Sequence, residues 1–310
     1  MTGEILLSPW LKNPNGIALR KLDSFRRAAS GRFILGTMPN RLSVAIVTLN
    51  EAANLPRTLA SARRISEPAP EILVLDSGST DETVEIAEKA GARLLEEPWK
   101  GFARQKNSAI AQAGGDWVLS LDADEEVSPE LAGEIRVLLE TEPAFSAYRI
   151  PRLNHFLGRP LRHGGYWPDP KIRLFRRGTA WFEERPVHET VKANGPVGLL
   201  KGHLIHHCYP TLEEYIEHMN RYSSASAGML AAAGRSSLGW PAFILNAFAN
   251  PAATFVYNYF FRLGFLDGRE GLLQHVNHSF YIHWKFAKAW EAARASKSVA
   301  AVAGDKDKHA

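Results

Sequence analysis

Three short apolar runs at residues 42–47, 72–75 and 117–121 are rich in β-branched residues and bounded by turn or polar positions. The segments between them have helical spacing, so the order is β-α-β-α-β. Two helix starts support this: Ser79 with Glu82 reads as a capping box, and Ser128 before Pro129 as an N-cap. Such alternation predicts an α/β fold with a mostly parallel, doubly wound sheet and right-handed crossovers. Its ligand site should lie beyond the carboxyl ends of the strands. Acidic residues stand there: Glu51 after the first run, Asp76 at the end of the second, Asp122 and Asp124 at the end of the third.

The stretch LSLDADEE, residues 119–126, is the sharpest chemical feature. Two carboxylates one residue apart, where strand pairing stops, can hold Mg²⁺ or Mn²⁺ against a diphosphate; a solvated turn is the alternative. Other phosphate sites are unsupported, because neither a P-loop pattern nor a Gly-x-Gly-x-x-Gly fingerprint follows the first run. After the second run, Gly78 permits a tight turn and leaves the Asp76 carboxylate at the crevice, where a base or ribose could donate to it. His203, His206 and His207 invite a metal reading. On one strand, however, His206 would point away from the other two, and Cys208 is the chain's only cysteine, so a structural zinc is unsupported.

Several stretches, in order and at matching spacing, resemble family 2 of the inverting glycosyltransferases, and more narrowly its lipopolysaccharide-core β-1,4-glucosyltransferase group. They are VAIVTLNEAANL (44–55), ILVLDSGSTDET (72–83), WKGFARQKNSAIAQAGGDWVLSLDADEE (99–126), KIRLFRR (171–177), PVHE (186–189) and IHHCYPTLEEY (205–215). The resemblance covers roughly residues 41–225. It implies a nucleotide-diphospho-sugar transferase (GT-A) fold, a nucleotide-sugar donor and a divalent cation. By the same resemblance Glu51 and Asp76 contact the nucleoside, Lys106 lies near the donor, Asp122 faces the sugar diphosphate, and Asp124 and Asp122, with His206, serve the metal. Glu189 takes the position of the general base that removes the acceptor proton. Asp169, Glu183 and Glu184 are the competing carboxylates. The implied acceptor is a heptose of the lipopolysaccharide inner core and the donor UDP-glucose. The implied location is the cytoplasmic side of the inner membrane, with peripheral contact. Transfer to a polyprenyl phosphate and a non-catalytic membrane-surface protein are the alternatives.

The rest of the chain supplies the acceptor side. Residues 152–168 combine Arg152, Arg162 and Trp167, a set suited to a phosphorylated sugar, since guanidinium grips phosphate and an aromatic face packs on a sugar ring. Thr211 and Glu214 form another capping box. Residues 236–261 carry no charge and are long enough to span a bilayer, but Pro241, Pro251 and three asparagines favour an in-plane membrane-contacting helix pair. Phe255, Tyr259 and Leu263 share one face of it, beside Phe260. The expected division is a basic, poorly ordered extension over 1–40 without a secretory signal, then a catalytic domain over 41–235. Within that domain, 41–126 forms the donor half and 127–210 the acceptor half. A membrane-contacting segment over 236–295 and a frayed tail over 296–310 follow. The net charge of +4 is too small to argue for nucleic acid. It divides instead into an acidic crevice and cations placed for anionic lipid and a phosphorylated acceptor.

Overall fold

The structure is a computed structural model that describes residues 40–184, 190–234 and 239–306. The expected extension over 1–40 therefore lies, except for Asn40, outside the described residues. The first elements are β1 (Leu42–Thr48), α1 (Leu55–Arg63), β2 (Glu71–Asp76), α2 (Thr83–Lys89), β3 (Arg93–Glu96), α3 (Phe102–Gln112) and β4 (Trp117–Asp122). Each of the three predicted runs is a strand, and each strand extends one residue further at its carboxyl end, so that Asp76 and Asp122 are themselves the last paired residues. The short edge strand β3 lacks an apolar run and was not foreseen.

The chain continues with β5 (Glu125–Val127), α4 (Pro129–Leu139), β6 (Ala147–Ile150), β7 (Arg152–Phe156), β8 (Arg159–Pro160) and β9 (Lys171–Arg176). It continues through β10 (Ala180–Glu183), β11 (Thr190–Ala193), β12 (Val197–Leu199) and β13 (Leu204–Tyr209). The central sheet has the order β12-β6-β9-β4-β1-β2-β3. Strands β4, β1, β2 and β3 are parallel, and β9 runs antiparallel between β4 and β6. Because β9 is antiparallel, its N-terminal half lies at the carboxyl end of β4. A second sheet of order β5-β13-β7-β8 leaves β4 through the turn at Ala123 and Asp124.

The pleat sends alternate residues of the buried strands to opposite faces. Val44, Ile46, Val74, Leu119 and Leu121 pack with Leu55 and Leu59 of α1 and Leu131 and Ile135 of α4. Ala45, Leu73, Leu75 and Val118 pack with Ile110 of α3 and Phe175 of β9. Both faces are covered, which is why these strands read as nearly continuous apolar runs.

Helix starts were only partly foreseen. Ser128 caps α4 by accepting from Leu131 N, and Thr211 caps α5 (Leu212–Ala232) by accepting from Glu214 N. Ser79 does not cap α2, which starts at Thr83; its hydroxyl donates to Asp76 instead.

Beyond α5, the helical stretch 240–261 alternates α6 (Trp240–Ile244) and α7 (Asn250–Val256) with π-helical turns at Leu245–Ala249 and Tyr257–Phe261. A 3₁₀ turn, Gly264–Asp267, leads into α8 (Gly268–Lys306), which packs along α5. The tail expected to fray from Ser296 is helical to Lys306, in keeping with its alanines, the strongest helix formers. No helix among the described residues is long and apolar enough to cross a membrane.

Candidate functional site

Two loops at the carboxyl ends of β1 and β2 lock into one floor. Asn50, at φ 56°, donates its N–H to Ser79 Oγ at 2.8 Å and accepts from Thr80 N at 2.8 Å. Glu51 N donates to Thr83 Oγ1 at 2.7 Å, and Ala52 N to Asp81 Oδ2 at 3.1 Å. Asp76 holds this floor from beneath. Its Oδ1 accepts from Thr48 and Ser79 hydroxyls and its Oδ2 from the N–H groups of Gly78 and Ser79. Burial opposes ionisation of Asp76, but these donors hold its pKa below the ordinary carboxylate value. All four lone-pair directions are taken. Asp76 was expected to meet the nucleoside with its carboxylate, and the structure places that carboxylate under the loop that lines the crevice.

The Glu51 carboxylate accepts from Asn54 Nδ2 at 2.9 Å. Burial pushes its pKa up to about 7, with smaller contributions from repulsion by Asp124 and Asp122. This places it in the same electrostatic environment as the β4 aspartates.

Asp122 sits between two cations. Lys106 Nζ approaches its Oδ1 to 2.6 Å, and Arg173 Nη2 its Oδ2 to 2.6 Å. Burial alone would raise the Asp122 pKa, but Arg173 and Lys106 hold it well below the usual carboxylate range. The Lys106 side chain, only 4 % exposed, comes from α3 and passes 5.1 Å over the Phe182 ring. It is a buried ion-pair member rather than a solvated helix lysine.

Arg173 Nη2 also reaches Glu125 Oε1 at 2.6 Å, while Glu125 Oε2 accepts from Asp122 N at 3.1 Å. Glu125 in turn meets Arg152 at 3.3 Å, and Arg152 meets Asp169 at 2.8 Å. A continuous chain of alternating charge therefore runs behind the crevice. Arg152, expected at the acceptor, is committed to this chain as a brace because two carboxylates occupy its guanidinium.

Asp124 lies in the turn after β4, whose Ala123 carbonyl accepts from Thr58 Oγ1 of α1 at 2.6 Å. Its Oδ2 is 3.2 Å from His206 Nε2. Strand β13 pairs His206 with Glu125 on one side and Asn154 on the other, and His206 Nδ1 donates to Asn154 Oδ1 at 2.7 Å. Burial alone would depress the His206 pKa, but Asp124 raises it to about 10, so the two form an ion pair. His207 turns away toward Glu126, at 3.5 Å. The divergence expected of neighbouring strand residues is what β13 displays.

These groups fit a hard divalent cation. Asp124 supplies a carboxylate, and the Nδ1 bond to Asn154 leaves Nε2 of His206 as the atom turned toward Asp124. A bound cation would displace the imidazolium proton. Among the described residues no three His, Cys, Asp or Glu side chains converge as a metal cage. A cation here would therefore draw its other ligands from diphosphate or water, the usual habit of Mg²⁺ at nucleotide sites.

Arg162 lies 6.0 Å over the Trp167 ring, and Trp167 packs edge-on to His203 at 5.6 Å, so these two residues, expected at the acceptor, are brought together. Glu189 and the PVHE motif lie outside the described residues. Its three competitors are engaged in ion pairs: Asp169 with Arg152 and Lys171, Glu184 with Arg104, and Glu183 at 4.0 Å from Lys192. Arg173 and Glu125 were missed at the sequence level. The available signal was a charged residue at the inward, alternate position of the apolar strand KIRLFR.

A mixed α/β sheet with an acidic pair at the end of β4, facing the β1 and β2 loops, defines a glycosyltransferase of the GT-A fold. The glycosyl transferase family 2 model matches residues 43–187. LpsC of Rhizobium meliloti, a lipopolysaccharide core biosynthesis glycosyltransferase, is 30% identical over 267 residues, 81% of this chain and 92% of that protein. A glycosyltransferase of Rickettsia felis is 31% identical over 84% of this chain and 93% of its own length. Among solved structures, a mannosyltransferase from Pyrobaculum calidifontis, in complex with GDP-Man and Mn²⁺, aligns over 81% of this chain and 87% of its own. Its TM-score is 0.48 at 17% identity. The chain belongs to glycosyl transferase family 2.

Proposed function

We propose that this protein is a cation-dependent, inverting glycosyltransferase that moves glucose from UDP-glucose onto a heptose of the lipopolysaccharide inner core. It would work as a peripheral protein on the cytoplasmic face of the inner membrane. The observation that carries the reading is the placement of Asp124 and His206 beside the Asp122–Lys106 pair, at the carboxyl end of β4 and facing the Glu51 loop. The similarity to LpsC supports the choice of acceptor.

The locked β1 and β2 loops would receive the nucleoside, with Asp76 fixing their shape and Glu51 lining the crevice. Lys106 and Arg173 keep Asp122 ionised at the end of β4, facing the sugar diphosphate. Asp124 and His206 would hold Mg²⁺ or Mn²⁺, which when bound neutralises charge on the departing diphosphate. Glu189 would take the proton from the acceptor hydroxyl as that oxygen attacks the anomeric carbon from the side opposite the diphosphate. Arg162 and Trp167 would grip a phosphorylated sugar.

A screen of UDP-sugars against membranes from a deletion strain tests the reading. UDP release should be greatest with UDP-glucose, and lipopolysaccharide from that strain should lack one core hexose. An unaltered core would rule out this acceptor.

A further inference from the structure

The helical stretch 240–261 turns a row of large apolar side chains to solvent. Trp240 is 76 % exposed, Leu245 60 %, Phe260 53 % and Phe261 74 %, and the row continues through Phe265 and Leu266. The spacing Leu245, Phe248, Ala252, Val256 and Phe260 keeps it on one side of the stretch. Phe255 and Tyr259, expected on one helical face, stack on each other at 5.2 Å, and Tyr259 packs toward His275. Between this stretch and α8 lies an apolar groove of 340 Å³, walled by Phe248, Ala252, Val276 and Phe280. Phe248 and Phe280 are exposed members of the same surface.

Charge indicates what covers this face. From Gly239 to Trp290 the chain carries four cations, Arg262, Arg269, Lys285 and Lys288, and two carboxylates. Both carboxylates are engaged: Asp267 accepts from the 162–163 loop and Glu270 faces Arg159 at 3.8 Å. Lys288 turns back to α5, where its Nζ donates to Asn220 and Ser224. The uncharged aromatic row, followed in the chain by Arg262 and Arg269 and with Lys285 on α8, complements an anionic bilayer, whose headgroups attract basic residues while its tails accept the rings.

The acceptor loop is tied to the same element. Asp267 accepts from Arg162 N at 3.2 Å, from His163 N at 2.9 Å and from His163 Nδ1 at 2.7 Å. Gly164 N donates to the Arg262 carbonyl at 2.8 Å. Gly164, at φ 64°, lies so close to His275 that a Cβ there would stand 2.0 Å from Nε2. We propose that the Trp240–Leu266 face inserts into an anionic bilayer and that these bonds fix the Arg162–Trp167 acceptor loop to that inserted face. The loop would thereby meet a lipid-borne saccharide at the membrane surface. This rests on the peripheral-membrane reading above and assigns its surface.

The test uses the full chain with vesicles of phosphatidylglycerol and phosphatidylcholine, or of phosphatidylcholine alone. Co-sedimentation should require the anionic lipid and fall about tenfold or more in Phe260→Ser/Phe261→Ser. Brominated acyl chains should quench wild-type tryptophan fluorescence, with the quenched part lost in Trp240→Phe. Hydrogen exchange at the amides of Arg162, His163 and Gly164 should slow when vesicles are added; in Asp267→Asn it should not, although that variant still sediments. Wild-type protein that ignores anionic vesicles overturns the proposal, as does an equal affinity in the double variant. So does self-association through this face that the double variant abolishes without any vesicle binding. Unchanged exchange in the 162–164 amides overturns the link to the loop. None of these readouts needs a sugar donor, so vesicle binding without UDP release would uphold the surface and overturn the transferase reading.

Discussion

Oδ2 of Asp124, in the turn that leaves the parallel sheet, lies 3.2 Å from Nε2 of His206, on a strand of the second sheet more than eighty residues later. Both sheets must fold before these two atoms meet. The proposed cation site is therefore a product of tertiary structure, and its strength would depend on what holds the imidazole in place.

Asn154 holds it. In Asn154→Ala, His206 loses the acceptor that fixes its Nδ1. Mn²⁺ affinity should fall about 10–100-fold, the usual effect of removing a hydrogen-bonded support from a metal ligand. Titration of the variant followed by electron paramagnetic resonance measures this, and an unchanged affinity would remove Asn154 from the account.

Arg173 neutralises Asp122 and Glu125 together, and its side chain is 5 % exposed. Arg173→Met leaves two carboxylates buried side by side, and breaking a buried pair in this way costs about 3–5 kcal/mol. Urea denaturation should show the loss, whereas a midpoint equal to wild type would mean that Lys106 and Arg152 suffice.

His275 is buried among Tyr166, Tyr259 and the Gly164 and Gly264 backbone, with His278, Asp267 and Arg262 as its charged or titratable surroundings. Burial lowers its pKa from 6.5 to about 4. Because the folded value is depressed, the unfolded chain takes up the proton first as the solution is acidified. The contribution of His275 is therefore complete above pH 6.5 and is lost as pH falls toward 4, a total on the order of 3 kcal/mol. Stability measured between pH 7.5 and 4.5 should fall less steeply in His275→Gln, and parallel curves would contradict the assignment.

Glu189→Gln should bind UDP-glucose with unchanged affinity by calorimetry and lose transfer by at least about 100-fold, the usual contribution of a general base. A Gln variant that transfers at the wild-type rate would return the role to another group.

How far the sequence foretold this arrangement depended on how local each feature is. Strands β1, β2 and β4 announce themselves because both faces are buried, and their terminal acids follow from where the apolar runs stop. The pairings that complete the site are not local. Nothing near Arg173 in the chain shows that antiparallel β9 delivers it to Asp122, and nothing near Arg152 shows that Glu125 and Asp169 take up its charge. Ser79 misled for a related reason: it has the spacing of a helix cap, but a buried Asp76 competes for its hydroxyl and wins.

The most direct test of the account is UDP release from UDP-glucose by wild type and by Asp124→Ala, each with Mn²⁺ and after chelation, in the presence of core-deficient membranes. Turnover by the wild type should stop on chelation and return with Mn²⁺. A folded Asp124→Ala protein should show a loss of about 100-fold or more that added cation does not restore. Full turnover by the chelated wild type, or by Asp124→Ala, would contradict the account.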